Sequence, residues 1–522
     1  MSWRTTRATA SPGLAPKRVA VIDLGSNSWR LVLYSYEPGD WWKLTDELHE
    51  TVRIGAGMGE DDCLQEDAMV RGLETLSVFA RFCKASGVSG DDVHAVATSA
   101  IREAANQQEF LTRAHRAAPE LTVEVLSGED EARMGYLAAV NSTTLREGAV
   151  LEIGGGSLQL IEVSRRRPGD LRSFELGAVR LTERFLPGTG PAGKADLRRL
   201  RKFVTKQLSE LPWLADRGGR LVGIGGAVRN LASAAALAAQ QPDIGVQGFQ
   251  ITRDTLSGLV GELAGMSQAE RGRVPGIKPG RGDIVLAAAA TIEAVLEFAQ
   301  VEGIETTEAG LREGVFFERV LLAGREPLFD DVRVAAVRNL AIQYESDLVH
   351  VEHVALLSLQ LFDSLADQKV FTPTPGEREL VWAAAMLHDV GMTISYDDHH
   401  KHSRYLILSG GLPGFDPRER ALIAQMSRYH RKGDPKLGFL APMMRDGDQE
   451  ALERGASLLR VAEHLERGRD QAVHEVRVRR NGDAAALHLR ASGDITLPRW
   501  SVERYGDAEL FERAFGRRLD LD

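Results

Sequence analysis

Cysteine is nearly absent: Cys63 and Cys83 are the only two in 522 residues. They form neither a disulfide framework nor a metal-ligand spacing, and a reducing cytoplasm is the expected compartment. Long apolar runs are missing as well. None approaches the ~20 residues that cross a bilayer, so no membrane partner is expected. There is no basic excess; the formal net charge of -10 argues against a general nucleic-acid binder. An anionic small substrate is still compatible, because a local site can be basic or metal-bearing on an acidic protein. The stretch "MSWRTTRATASPGLAPKR" holds no acid and lacks the apolar core of a secretory signal. It reads as a disordered tail, with a targeting segment as the other reading.

With 43% apolar and 26% charged residues, the chain has the composition of a soluble globular protein. It is too long for one core, and size alone predicts roughly three or four domains. From Val19 to Tyr36 the pattern is strand, turn, strand. "LETLSVFARFCKAS" has helical spacing, "VHAVATSA" is a short apolar run, and "IREAANQQEFLTRAHRAA" is helical again. "LTVEVLSGEDEARMGYLAAV" is a strand feeding a helix. Such alternation marks an α/β domain, and it recurs after residue 145, with strands near 149–163 and 220–224 and a helix in "DIVLAAAATIEAVLEFA". The polar stretch "LAGREPLFDD" is the expected boundary before an almost wholly helical region. Near the end, "HEVRVRRNGDAAALHLRASGDITL" holds two alternating runs around an Asn-Gly turn, a hairpin signal. The expected layout is a tail over 1–17, α/β lobes over 18–140 and 141–322, a helical domain over 323–472 and a small α+β unit over 473–522.

An internal repeat gives the first functional lead. "IDLGSNSWRLVL" (22–33) aligns without gaps on "LEIGGGSLQLIE" (151–162), setting Asp23 on Glu152, Gly25 on Gly154 and Ser28 on Ser157. Each copy reads strand, carboxylate, glycine turn, Ser, strand. Glycines let successive N–H groups line a concavity for an anion. A carboxylate at the end of each strand can hold Mg²⁺ against a phosphate. Two such turns would grip a phosphate chain from both sides; two chance hairpins are the plainer reading. A third turn, "LVGIGGAVRNLA", places Gly225 and Gly226 between a strand and a helix, where anions are favoured.

Seven stretches occur in order: "VIDLGSNSWRLVL", "ATSAIREAANQQEFL", "VEVLSGEDEARMGYLAAV", "LEIGGGSLQLIEV", "FELGAVRLTERF", "GIGGAVRNLA" and "EAGLREGV". Together they resemble the exopolyphosphatase/guanosine pentaphosphate phosphatase family, over roughly residues 18–515. "AAMLHDVGMTISYDDHHKHSRYLILSGGLPGF" and "YHRK" look like the C-terminal region of its long members. The resemblance implies an α/β fold of duplicated ribonuclease-H-like lobes, as in actin and sugar kinases, followed by an all-α HD-like domain and a small α+β C-terminal unit. It implies Mg²⁺-dependent removal of terminal phosphate from inorganic polyphosphate or guanosine pentaphosphate, and a homodimer.

Carried onto this chain, the resemblance makes Glu131 the base that activates water. Without it, Ser127, Asp130 and Glu131 read equally as the acidic start of a helix. Arg102 stands near a helix start, where a cation opposes the dipole, and is a candidate phosphate clamp; a solvated ion pair is the alternative. Gly25, Ser26, Asn27 and Ser28, and Gly154, Gly155, Gly156 and Ser157, are the two expected cradles. Arg180 matches a further family position. Asp23, Glu152 and Gln159 are the expected metal ligands. The family usually carries Asp at position 152, Thr-Glu at 158–159 and Thr at 227, where this chain has Glu152, Leu158, Gln159 and Ala227. Weakened Mg²⁺ binding is the expected result, and a regulatory protein that binds polyphosphate or an alarmone without cutting it is the rival reading. His350, His388, Asp389 and Glu463 resemble the HD metal pattern with Glu463 in place of Asp; packing remnant or dimer surface, and metal site, are the two readings. His399, His400, His402 and His430 add imidazoles without a standard spacing.

Overall fold

A computed structural model describes residues 16–58, 61–216 and 219–521. The expected tail lies outside these residues except for its last two; Lys17 already opens the first strand. The chain forms two compact units, one of residues 1–127 and 315–326, the other of 128–314 and 327–522.

In the first unit β1 (Lys17–Leu24) pairs antiparallel with β2 (Trp29–Glu37), which pairs antiparallel with β3 (Trp41–Glu50). On its other side β1 runs parallel to β4 (Val93–Ala97), and β4 to β5 (Val123–Val125). The order is β3-β2-β1-β4-β5. The helix Glu66–Ala85 packs on this sheet. Its Gly72 is needed there, because a Cβ would stand 2.6 Å from the buried ring of Trp29. The expected continuous helix over 101–118 is broken. Ser99–Glu103 and Gln107–Ala117 are separate helices, and between them the Asn106 side chain bonds both the N–H and the C=O of Leu64.

The second unit repeats the order. β6 (Glu147–Ile153), β7 (Leu158–Ser164), β8 (Arg167–Phe174), β9 (Arg220–Ile224), β10 (Gln250–Thr252) and β11 (Gly303–Thr306) form a sheet ordered β8-β7-β6-β9-β11-β10. Its first three strands are antiparallel, while β6, β9 and β11 are parallel. The strand order of the first unit therefore recurs with one extra edge strand, as a duplication requires.

Two expected boundaries move. Helix Gly128–Val140, assigned from sequence to the first lobe, belongs to the second unit. Its Ala132, Tyr136, Leu137, Ala139 and Val140 share a core with Val150, Ile161, Val163, Val222 and Ile224. Residues 315–326, expected in the second lobe, return to the first unit. There Phe316 stacks on Tyr34 with ring centroids 4.2 Å apart, and Arg319 makes two hydrogen bonds to Glu124.

The helical region comprises Val332–Gln343, Leu348–Asp367, Glu377–Leu387, His399–Ser409, Pro417–Tyr429 and Asp448–Leu465. The Asn481-Gly482 hairpin of β12 (Val473–Asn481) and β13 (Ala484–Ala491) is present, with Gly482 at φ 60°. A last strand, β14 (Arg518–Leu521), runs parallel to β13. These final residues do not build a core of their own. Val473, Val476, Leu487, Phe511 and Phe515 join the core of the helices. Among the described residues no helix is long and apolar enough to cross a membrane.

Candidate active site

In the first unit, Asp23 sits at the end of β1 opposite Arg30 of β2. Between the strands lies the turn Gly25-Ser26-Asn27-Ser28. A neighbouring loop fixes it: Gly55 N–H donates to Ser26 O (3.2 Å) and Arg53 N–H to Asn27 O (2.9 Å). In a trans peptide the C=O and the next N–H point opposite ways. Tying those two carbonyls to the loop therefore turns the amides of Asn27 and Ser28 away from it. Ser26 Oγ lies 3.0 Å from Ser99 Oγ, at the start of the short helix that carries Arg102. Arg102 is mostly buried; its Nη1 donates to Leu126 O at 3.1 Å, and Nη2 stands 3.6 Å from Glu103.

The second turn is backed differently. Gly177, Ala178 and Val179 donate their N–H groups to Gly156 O (3.1 Å), Gly154 O (2.9 Å) and Gly155 O (2.9 Å). Three successive carbonyls are thereby taken by the start of helix Ala178–Phe185. By the same peptide geometry the amides of Gly155, Gly156 and Ser157 face the opposite side, an arrangement that receives anions. Gly177 must be glycine, since a Cβ would overlap Gly155 O and the Gly156 carbonyl carbon. Arg180, on the same helix, pairs with Glu175 at 2.8 Å in a half-exposed ion pair.

The carboxylates meet one helix. Glu152 and Gln159 are cross-strand partners of β6 and β7, so their side chains share a face. The Glu152 carboxylate lies over Gly135, where a Cβ would be 2.5 Å from Oε2. Glu131 is buried one turn earlier on that helix; residues four apart share a helix face. The longer side chain of Glu152 is thus accommodated by a glycine opposite it. At the helix start, a Cβ on Gly128 would be 3.2 Å from that of Ser173, the partner of Gln159 on β8. Gln159 is fully buried; its Nε2 donates to Ser157 Oγ at 2.8 Å and approaches Ser173 Oγ at 3.4 Å. Its Oε1 has no hydrogen-bond partner among the described residues. An orphaned amide oxygen beside a carboxylate is an oxygen-only donor set, which fits a hard cation such as Mg²⁺.

At the third turn Gly225 has φ 97°, and helix Gly226–Ala238 follows. Ala227 is buried in the core beside it. Arg281, which sequence reasoning passed over, lays its guanidinium on Gly226, with Nη2 2.5 Å from where a Cβ would stand. A cation at a helix N-terminus opposes the dipole, and a guanidinium is a donor that matches phosphate oxygens. Nothing local in "KPGRGD" announces this; the two residues are brought together by tertiary packing.

In the helical region His350, His388, Asp389 and Glu463 do stand together. His350 Nε2 is 3.1 Å, and His388 Nε2 3.3 Å, from Glu463 Oε2. His399 and His430, which lacked a recognisable spacing, join them through Asp389. His400 is buried nearby, 3.8 Å from Asp398.

Residues 34–323 match the model described as the Ppx/GppA phosphatase family, and residues 332–497 that of Ppx/GppA phosphatase, domain III. A guanosine-5'-triphosphate,3'-diphosphate pyrophosphatase from Vibrio vulnificus is 27% identical over 483 residues, spanning 90% of this chain and 92% of that protein. The crystal structure of an exopolyphosphatase from Cytophaga hutchinsonii shares the fold. It is 24% identical, covers 60% of this chain and 100% of that one, and has a TM-score of 0.53. The crystal structure of the Aquifex aeolicus member of the Ppx/GppA family is 30% identical and covers 57% of this chain and 96% of that one, at a TM-score of 0.49.

Proposed function

Because the chain belongs to the Ppx/GppA phosphatase family, a family of phosphoanhydride hydrolases, we propose that it releases the terminal phosphate of inorganic polyphosphate. The observation that carries this reading is the turn at 154–157, whose three carbonyls are held from behind. Amides so fixed can receive phosphate oxygens with no reorganisation at the moment of reaction. The turn at 25–28 is read as the second phosphate cradle. Glu131 takes the proton of the attacking water. The water oxygen forms the new P–O bond as the bridging P–O bond breaks, and the shortened chain leaves with the negative charge. Arg102 is read as stabilising that charge, and Arg180, Gly225 and Gly226 as further contacts to the phosphates. Mg²⁺ would be held by Glu152 and Gln159 and would neutralise phosphate oxygens when bound; Asp23 is read as the metal ligand of the first unit. Since Gln159 donates to Ser157 Oγ, the Ser157 hydroxyl keeps its own proton for the substrate.

A second substrate has a specific observation behind it. Similarity to the Vibrio vulnificus enzyme runs through the helical region and 90% of this chain, which favours guanosine pentaphosphate. The helical region reads as HD-related, with Glu463 where Asp is usual. Free Cys63 and Cys83 accord with a cytoplasmic protein, and a homodimer is carried over from the resemblance. The test is phosphate release from long-chain polyphosphate and from guanosine pentaphosphate with Mg²⁺, for wild type and Glu131→Gln. A higher kcat/KM on polyphosphate, lost by about 10²–10⁴-fold in the variant, is expected. Preference for the nucleotide installs the second reading. Tight binding with no release from the wild type makes the protein a phosphate-chain sensor.

A further inference from the structure

We propose that the helical region holds a divalent transition-metal centre, separate from the phosphatase site, with Asp389 as its shared ligand and His350, His388, His399, His430 and Glu463 around it. The six residues come from five elements. His350 lies on helix Leu348–Asp367, His388 and Asp389 follow helix Glu377–Leu387, and His399 opens helix His399–Ser409. His430 ends helix Pro417–Tyr429, and Glu463 lies on helix Asp448–Leu465. All six are buried. Burying this many titratable groups is costly unless something binds them.

Hydrogen bonding fixes what the imidazoles present. His388 Nδ1 is 2.6 Å from Ala385 O, His399 Nδ1 2.9 Å from Tyr396 O, and His430 Nδ1 2.7 Å from Ser427 O. A carbonyl only accepts, so each Nδ1 carries the proton, and in the neutral ring each Nε2 offers a lone pair. The Nε2 atoms of His399 and His430 then face each other at 3.2 Å. Two lone pairs do not attract; a cation beside both resolves the contact. Metal-bound His is held in this way, its other nitrogen donating to a backbone carbonyl.

The spacings agree. Ligand atoms at about 2.0–2.2 Å from a tetrahedral ion stand about 3.3–3.6 Å from one another. His388 Nε2 is 3.5 Å and His399 Nε2 3.4 Å from Asp389 Oδ1, and His388 Nε2 is 3.3 Å from Glu463 Oε2. Asp389 Oδ2 is held by Arg469 Nη2 at 2.9 Å and lies 3.8 Å from His350 Nε2, so Oδ1 is the oxygen that faces His388 and His399. Three or four imidazoles select a first-row transition ion over Mg²⁺. An ion linking five elements would also raise the stability of the region, because it binds the folded state alone.

The experiment loads the full chain with Co²⁺ in excess Mg²⁺, removes free ion by gel filtration, and reads bound cobalt, visible d–d absorption and melting temperature. At least one equivalent is expected, with absorption of an imidazole-ligated ion and a higher melting temperature than the EDTA-treated chain. Asp389→Asn and His388→Ala should weaken binding by at least about tenfold, while Glu152→Ala should not. His430→Gln, the milder change, guards against misfolding and should alter the absorption bands with the circular dichroism intact. No retained cobalt in the wild type overturns the proposal. So does equal retention in Asp389→Asn and His430→Gln.

Discussion

The turns at 25–28 and 154–157 look alike and are held differently. A loop ties two carbonyls of the first, at Ser26 and Asn27; the start of a helix ties three of the second, at Gly154, Gly155 and Gly156. In both, the protein takes the carbonyl side and presents the amide side. The partners behind the strands differ too. Asp23 faces Arg30 across its sheet, whereas Glu152 faces Gln159. The Arg30 guanidinium pairs with Glu47 at 3.1 Å, whereas the Gln159 amide oxygen is left without a hydrogen-bond partner among the described residues. Under the proposed function the second unit is the better built for phosphate and for metal, and the first supplies a thinner copy of the same device.

The comparison is broken most sharply at the glycines. Gly177→Ala has nowhere to place its Cβ except in the carbonyls of Gly155 and Gly156. It should cost about 1–3 kcal/mol of stability and at least a hundredfold in kcat/KM. Gly25→Ala meets Ser28 O at 3.1 Å and should lose less, while Gly154→Ala, 3.6 Å from Ser157 O, should lose least. Steady-state kinetics and thermal melts on the three variants check that order. Equal losses would mean that the backing of the turns does not matter.

A smaller effect sharpens the metal side. Gly135→Ala places a Cβ 2.5 Å from Glu152 Oε2. It should raise the Mg²⁺ needed for half-maximal phosphate release several-fold, and the helix-propensity gain of about 1 kcal/mol from losing a glycine is offset by the overlap of that Cβ with Ile224 Cδ1, 2.9 Å away. The smallest expected change is Gln159→Glu. Added charge should lower the Mg²⁺ requirement, and KM should rise because Ser157 would donate to the new carboxylate. A Mg²⁺ titration unchanged from wild type would remove residue 159 from the metal site.

The turns were legible because everything they need lies within the twelve residues of each repeat: carboxylate, glycines, Ser and two apolar strands. Their backing was not, since Gly177 and the 53–55 loop meet the turns only through tertiary packing. Strand β3 escaped notice for another reason. It is an edge strand with mostly exposed side chains, so burial imposed no period-two pattern on it. Helix Gly128–Val140 was recognised as an element, yet assigned to the wrong unit, because an apolar stripe names a helix without naming what it packs on. Arg281 and the His399–His430 contact follow the same rule. Each is made by residues far apart in sequence and close in the fold.

The most direct measurement follows the amides themselves. Protein labelled with ¹⁵N-glycine and carrying Glu131→Gln is titrated with tripolyphosphate and Mg²⁺. Saturable downfield shifts of the Gly155 and Gly156 amides, absent in the Gly177→Ala background, are predicted. Amides that stay unmoved while the chain binds tripolyphosphate would contradict the account.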